Sequence, residues 1–414
     1  MSMAAANSLF TIYGVELEYM LVDARTLDIR PISDQLFHEV TGEFQGDFEN
    51  GPASWSNELV SHLVEIKTTE PAPSLTPLAG LFQSQVHQIN DHLAQLGARL
   101  MPSAMHPWMD PTRETQLWQH EYHEVYETYD RIFNCRSHGW ANLQSVHLNL
   151  PFADDDEFAR LHAAIRLLLP ILPALAASSP LVDGKYSGWM DTRLETYRGN
   201  SRRFPAITGQ VIPEPVFSRG DYEQQIFAPM FRQIAAVDSE GTLQHEWLNS
   251  RGAIARFDRQ AIEIRVLDVQ ETPAADVAIC ALASAVLRSL VAETWTSLAE
   301  QQAWPVEPLN RILTTASHDA EQALVEDPAY LAQFGYTQPR ATLQELWQHL
   351  WQTAQATLLE QDPAWGHPLQ VILQQGPLAR RLTRAVGPDL DRSRLHSVYA
   401  RLCDSLAQGR MFEV

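Results

Sequence analysis

An α+β fold is predicted by three features of the sequence. Period-2 stretches rich in β-branched residues are confined to the first two thirds of the 414 residues, helical spacings interleave with them irregularly, and everything beyond about Glu300 repeats at helical spacing. The regular strand–helix alternation of a doubly wound sheet is missing. Residues 1–300 therefore read as one α+β unit, and 301–414 as a helical region packing on the same domain.

The elements follow in order. "SLFTIYGVELEYMLVD" (8–23) and "NELVSHLVEIKT" (57–68) alternate apolar and polar residues between turn-formers such as "GPAS" and "EPAPS", so both read as strands. Apolar spacing from Leu78 to Leu96 predicts a helix that stops at Gly97. "ETQLWQHEYHEVYETYDRIF" (114–133) reads as helix and "ANLQSVHLNLPF" (141–152) as strand. In "DDDEFARLHAAIRLLLPILPALAA" (154–177) the acidic run suits the positive end of a helix. "RQAIEIRVLDVQ" (259–270) is a further strand, and "PAADVAICALASAVLRSLVAETW" (273–295) a long helix with Pro in its first turn.

Composition narrows the function classes. With 45% hydrophobic and 20% charged residues the chain reads as a soluble globular protein. Thirty basic residues against fifty-one acidic ones give a net charge of -21, which repels nucleic acid and anionic membranes, so a polyanionic ligand needs local cations or metal. Met1–Phe10 lacks the basic and apolar regions of a signal peptide, and the most apolar long stretch is interrupted by Arg166, Pro170 and Pro173. Cys135, Cys280 and Cys403 lie far apart with no CxxC. A cytoplasmic protein is expected. No GxxxxGK[ST], no GxGxxG after a strand and no HExxH occurs; "HEYHE" misses the last by one residue, and "GKYSG" is not a nucleophile elbow.

What remains is carboxylates on strands. Residues i and i+2 of a strand share a face, so Glu16 and Glu18 point one way while Val15, Leu17 and Tyr19 point the other. By the same rule Glu263 pairs with Arg265 and His147 with Asn149, and Glu58 and Glu65 flank another apolar strand. A solvated sheet face accounts for any one of these pairs, but such faces usually mix Thr, Ser, Lys and Gln. Gathered on one concave face the carboxylates repel unless hard divalent cations hold them. Carboxylate-bound metal with arginines nearby suits ATP-dependent phosphoryl transfer, and equally a metal-dependent hydrolase of amides or nucleic acid.

The segments "GVELEYMLVD", "NELVSHLVEIKT", "VHLNLPF", "LAASSPLVDGKYSGWMDTR" and "AIEIRVLDVQETPAADVAI" occur in the order seen in glutamate–cysteine ligases, and the chain most resembles the bacterial type-2 group. That resemblance implies a glutamine-synthetase-like fold, a curved and mainly antiparallel sheet flanked by helices that forms a funnel for ATP and an amino acid. It implies ATP and Mg²⁺ (or Mn²⁺) as cofactors, and Glu16, Glu18, Glu58, Glu65, His147 and Glu263 as metal ligands. Arg265, Arg193 and Arg251 would be catalytic, Arg251 and Arg265 also holding the nucleotide, with Arg131 a further candidate. The reaction implied activates the γ-carboxylate of glutamate as an acyl phosphate and passes it to an amine, cysteine first, as in glutathione biosynthesis. A different acceptor, or a catalytically silent binding protein, is the alternative.

The chain departs from the type-2 pattern in carrying "SVHLNL" for "HVHVG" and "NSRGA" for an Arg-Pro pair. The first change resembles the more distant cysteine-ligating enzymes and bears on the acceptor, whose pocket Trp140, Trp189 and Trp247 could line. Small molecules are the expected partners, with no nucleic acid and no membrane; a homodimer is left open.

Overall fold

The structure, a computed structural model, describes residues 7–414; part of the Met1–Phe10 segment considered above lies outside them. Eight strands form one open antiparallel sheet: β1 (Gly14–Asp23), β2 (Asp47–Asn50), β3 (Ala53–Asn57), β4 (Leu63–Thr68), β5 (Ala98–Met101), β6 (Ser145–Pro151), β7 (Ala253–Arg256) and β8 (Ala261–Asp268). Their order is β2-β3-β4-β1-β6-β8-β7, and β5 extends the β6 side of β1 by pairing with Met20–Asp23. This is the mixed helix and antiparallel-sheet architecture that the sequence predicts.

Alternation along the strands divides the two faces. Val15, Leu17, Tyr19, Val64, Ile66, Leu148, Ile262 and Ile264 are buried in one continuous apolar core, each burial contributing about 1.5–3 kcal/mol. Three helices cover that face: α1 (Leu78–Gln95), α2 (Asp155–Leu168) and α3 (Pro273–Val291). Asp154 caps α2 by accepting from the Glu157 N–H at 3.0 Å, and Thr272 caps α3, with Pro273 filling a first-turn position that needs no N–H. By length and composition α3 could cross a membrane, yet most of it is buried at the centre of the fold, against α1 and α2.

Three expected elements differ. Residues 115–122 are not helical: the Ser61 N–H donates to the Gln116 carbonyl (2.9 Å) and the Trp118 N–H to that of Leu59 (3.1 Å), and the helix starts only at His123, after Tyr122 has turned through φ 65°. The same pairing pulls Glu58–His62 off the sheet, so Glu58 sits on a loop between β3 and β4 rather than on the strand expected for it. The helix expected over 154–177 breaks into α2, a 3₁₀ turn and a short helix, because Pro170 and Pro173 donate no N–H.

Beyond Glu300 the chain is mostly helical, including α4 (Leu343–Gln361), packed on α3, and α5 (Arg392–Gln408), packed on α1 and β5. Polar ties fasten these helices: the Trp347 indole donates to the Ile171 carbonyl (2.9 Å) and the Tyr330 hydroxyl to that of Leu167 (2.7 Å). The loop after β8 is held by a fully buried ion pair, Glu271 with Arg381, whose guanidinium also donates to the Phe412 carbonyl (2.7 Å). Arg381→Ala would strand the Glu271 charge, at an expected cost of about 3–5 kcal/mol, read as a lower urea midpoint at unchanged m value.

Candidate active site

The polar face of the sheet is where the carboxylates meet. In the register of β1 with its neighbours Glu16 stands opposite Lys67 and His147, and Glu18 opposite Glu65. Across β6, Glu263 stands opposite Asn149. The β8–β6 ladder shifts between Ile264 and Leu267, so that Arg265 and Val266 together face His147; this bulge brings Arg265 over the carboxylates while Val266 stays in the core.

These side chains line a cleft of about 710 Å³. His147 Nδ1 lies 2.8 Å from Glu16 Oε2, and Asn149 donates to the other Glu16 oxygen at 3.2 Å. Glu18 accepts from the Ser145 N–H (2.7 Å) and hydroxyl (3.0 Å). Glu65 accepts from Ser56 (2.7 Å) and pairs with Lys67 at 3.2 Å. Glu58 reaches in from its loop and makes no side-chain hydrogen bond or ion pair among the described residues.

So many buried carboxylates disturb one another. Burial, then the Glu16 charge, pushes Glu65 up to about 7 against the pull of Lys67. Glu58 is raised well above the carboxylate range by burial and the charges of Glu18 and Glu65. Burial would raise Glu16 too, but its hydrogen bond to His147 holds it down at about 2; the same bond overcomes burial to raise His147 to about 9. Unlike charges pair, and the repulsion left over is relieved by protons held on Glu58 and Glu65, which a bound cation would displace.

Two trios of ligand atoms, Glu16/Glu65/His147 and Glu18/Glu58/Glu65, each lie within 4.8 Å of one another and share Glu65. An oxygen-rich donor set with one imidazole and surplus charge fits hard divalent cations. Glu263 belongs to neither trio: it pairs with Arg265 at 2.9 Å and with Arg256 at 3.4 Å.

A pH effect follows, with its sign. A carboxyl raised from 4.5 to about 7 in the fold loses stability as pH rises through that window. Stability from the raised His147 is full below 6.5 and lost as pH rises through about 9, while the depressed Glu16 loses its contribution only as pH falls toward 2. Between pH 4.5 and 9 the cluster therefore destabilises the metal-free protein progressively. Mg²⁺ is expected to raise the thermal midpoint more at pH 8 than at pH 5.5, measured by differential scanning fluorimetry with and without the ion.

A second chamber, about 270 Å³, opens off the cleft and shares Glu18, Glu58, His147 and Arg265 with it. Aromatic rings wall it: Tyr129 lies 5.3 Å from Trp140 and 5.9 Å from Trp247. Trp189 lies elsewhere, against His318. Arg193 reaches the chamber while two of its nitrogens hold Asp268 (3.4 Å) and the Arg265 carbonyl (2.9 Å).

The structure does not bring Arg251 to either cavity. The residue is 2% exposed and its guanidinium is clamped on Glu214 at 2.5 and 2.7 Å and on the Ala206 carbonyl at 3.1 Å, so it fastens a loop. Arg131 donates to the Val237 carbonyl, also outside both cavities. The cleft instead holds Lys67, Arg256 and Arg259, which sequence reasoning passed over. Lys67 was available to the i+2 rule from Glu65; Arg256 hid on β7, a short edge strand inside a stretch that reads as irregular.

A sequence model of glutamate-cysteine ligase family 2 matches residues 12–399. A protein of Archaeoglobus fulgidus, named "Uncharacterized protein", is 35% identical over 314 residues, 75% of this chain and 80% of that one. A Rubrobacter xylanophilus protein named "Putative glutamate--cysteine ligase 2-3" is 23% identical over 273 residues, 65% of this chain and 67% of its own. Among solved structures, a glutamate–cysteine ligase of Francisella tularensis in complex with AMP is similar in fold, with a TM-score of 0.59 over 98% of this chain and 90% of that one at 12% identity.

Proposed function

The chain belongs to glutamate-cysteine ligase family 2, and on that premise we propose that it is an ATP-dependent carboxylate–amine ligase forming a γ-glutamyl amide, with cysteine as the acceptor the family name specifies. The observation that carries this reading is the meeting, in one cleft, of the two carboxylate trios with Arg256, Arg259 and Arg265. Such a site suits a triphosphate bound through cations from both sides.

In the proposed reaction a γ-carboxylate oxygen of glutamate attacks the γ-phosphorus of ATP, the bond to ADP breaks, and an acyl phosphate results. The acceptor nitrogen then attacks the acyl carbon, loses a proton, and phosphate leaves with the former carboxylate oxygen. Mg²⁺ held by Glu16, Glu18, Glu58, Glu65 and His147 would neutralise the phosphate oxygens. Arg265, at the junction of cleft and chamber, is suited to hold a transferring phosphoryl oxygen or the substrate carboxylate, with Glu263 fixing its orientation at 2.9 Å. The aromatic chamber is the proposed place of the acceptor, and its walls limit water at the acyl phosphate. Residues 1–300 are the proposed catalytic domain, with 301–414 a helical region that braces its core.

Phosphate release from ATP, Mg²⁺, glutamate and a panel of amines tests the reading. Amine-dependent release is expected; silence across the panel would sink it. Arg256→Ala is expected to raise KM for ATP about tenfold with a smaller change in kcat, since Arg256 lines the cleft without reaching the chamber.

A further inference from the structure

A third cavity, about 350 Å³, lies on the other side of the cleft wall, between α3, α4 and the segment Pro73–Leu75. It exists because the facing helices carry small residues there, Ala281, Ser284 and Ala285 on α3 and Ala354 on α4, while the Trp365 ring props its far end. Its size falls in the range of small-molecule sites.

Two features point to an occupant. Ser284 and Trp365 are each 3% exposed, and neither the Ser284 hydroxyl nor the Trp365 indole N–H has a hydrogen-bond partner among the described residues. Buried polar groups are rarely left so, and a mid-helix serine usually bonds back to its own helix. The other feature is charge. In a chain of net charge -21, no carboxylate lines this cavity, and its sole charged lining residue among those described is Arg288. That guanidinium is pre-set: it lies 4.5 Å from the Phe10 ring centroid and donates through one nitrogen to the Tyr13 hydroxyl (2.6 Å) and the Phe10 carbonyl (3.1 Å). Its other nitrogens make no hydrogen bond among the described residues.

The wall is shared with the proposed active site. Phe10, Tyr13, Pro73 and Leu75 face this cavity, whereas Ile12, Gly14 and Pro71 face the cleft. Tyr13 and Ala72 exchange backbone hydrogen bonds of 2.8 and 2.7 Å, tying the two segments into one ribbon that runs into β1, three residues before Glu16.

We propose that this cavity is an effector site for a small organic anion with an apolar body. Arg288 takes the anionic group, and Leu75, Val286 and Leu358 the body. Its occupant shifts the Phe10–Gly14/Pro71–Leu75 ribbon and so alters nucleotide binding in the cleft. The binding claim stands on this cavity alone; the coupling claim rests on the ligase reading.

Calorimetry with 4-phenylbutyrate and its uncharged analogue 4-phenylbutanol tests both. One saturable site for the carboxylate is expected, weakened about tenfold or more in the alcohol and in Arg288→Gln, and lost in Ala354→Trp. Both variants should still bind ATP, which also reports that they fold. Saturating phenylbutyrate should change the ATP Kd about fivefold or more in the parent, and ATP the phenylbutyrate Kd by the same factor. Absence of a saturable site, binding indifferent to both substitutions, or simple competition with ATP would overturn the effector site. A parent protein that binds phenylbutyrate but no ATP would refute the ligase reading and the coupling, and leave the binding claim standing.

Discussion

Glu16→Ala is expected to lower amine-dependent phosphate release by about 10²–10³-fold in kcat. Glu16 stands at the centre of the cleft, its carboxylate shared between His147 at 2.8 Å and Asn149 at 3.2 Å. It is also one of the three groups in the first trio. Removing it takes an anionic ligand from a metal and leaves the buried His147 without its nearest counter-charge, with Glu18 and Glu263 only at 3.8 and 3.9 Å, so alanine alone could act through stability. Glu16→Gln separates the two effects, because it keeps the shape and a hydrogen-bonding oxygen but not the charge. A glutamine variant that holds its thermal midpoint within a few degrees yet is as inactive as alanine fits the metal-ligand role. One that retains activity contradicts it.

Arg265→Lys is expected to cost about 10²-fold in kcat/KM at little cost in stability. The guanidinium spends its Nε on Glu263 and still presents its terminal nitrogens at the junction of the two cavities. A lysine ammonium can pair with Glu263 or reach a substrate oxygen, but lacks the planar fork to do both. The bulge at Arg265 and Val266 aims the side chain, so position is retained and only donor geometry changes. Arg251→Lys is the contrast: with its guanidinium spent on Glu214 and backbone carbonyls, it should act on stability and leave KM for ATP near the parental value. Equal kinetic losses in the two variants would contradict the placement of Arg265.

Most of the sheet and much of the site were legible because strand alternation is local. "GVELEYM" and "IEIR" announce their polar faces without help from the rest of the chain, and Glu16, Glu18 and Arg265 line the cleft as alternation orients them. What alternation does not carry is pairing at a distance. Leu59–Ser61 leaves the sheet because residues 116–118 pair with it, and no pattern within either segment encodes that. The same limit separates Arg251 from Arg256. Five residues apart, either side of an apolar Gly-Ala-Ile-Ala run, they part company because β7 begins at Ala253: Arg251 precedes it and meets Glu214, while Arg256 ends it and meets Glu263. Lys67 was legible and was missed for another reason, since a search for carboxylates passes over the lysine that partly neutralises them.

Oxygen transfer is the most direct test of the central claim. With glutamate carrying ¹⁸O at both γ-carboxylate oxygens, ATP, Mg²⁺ and an accepted amine, mass spectrometry of the products should find one ¹⁸O in the released phosphate and one in the amide for each γ-glutamyl amide formed, because one carboxylate oxygen leaves with the phosphoryl group. Unlabelled phosphate would mean that the cleft delivers the phosphoryl group to water and would contradict acyl-phosphate ligation.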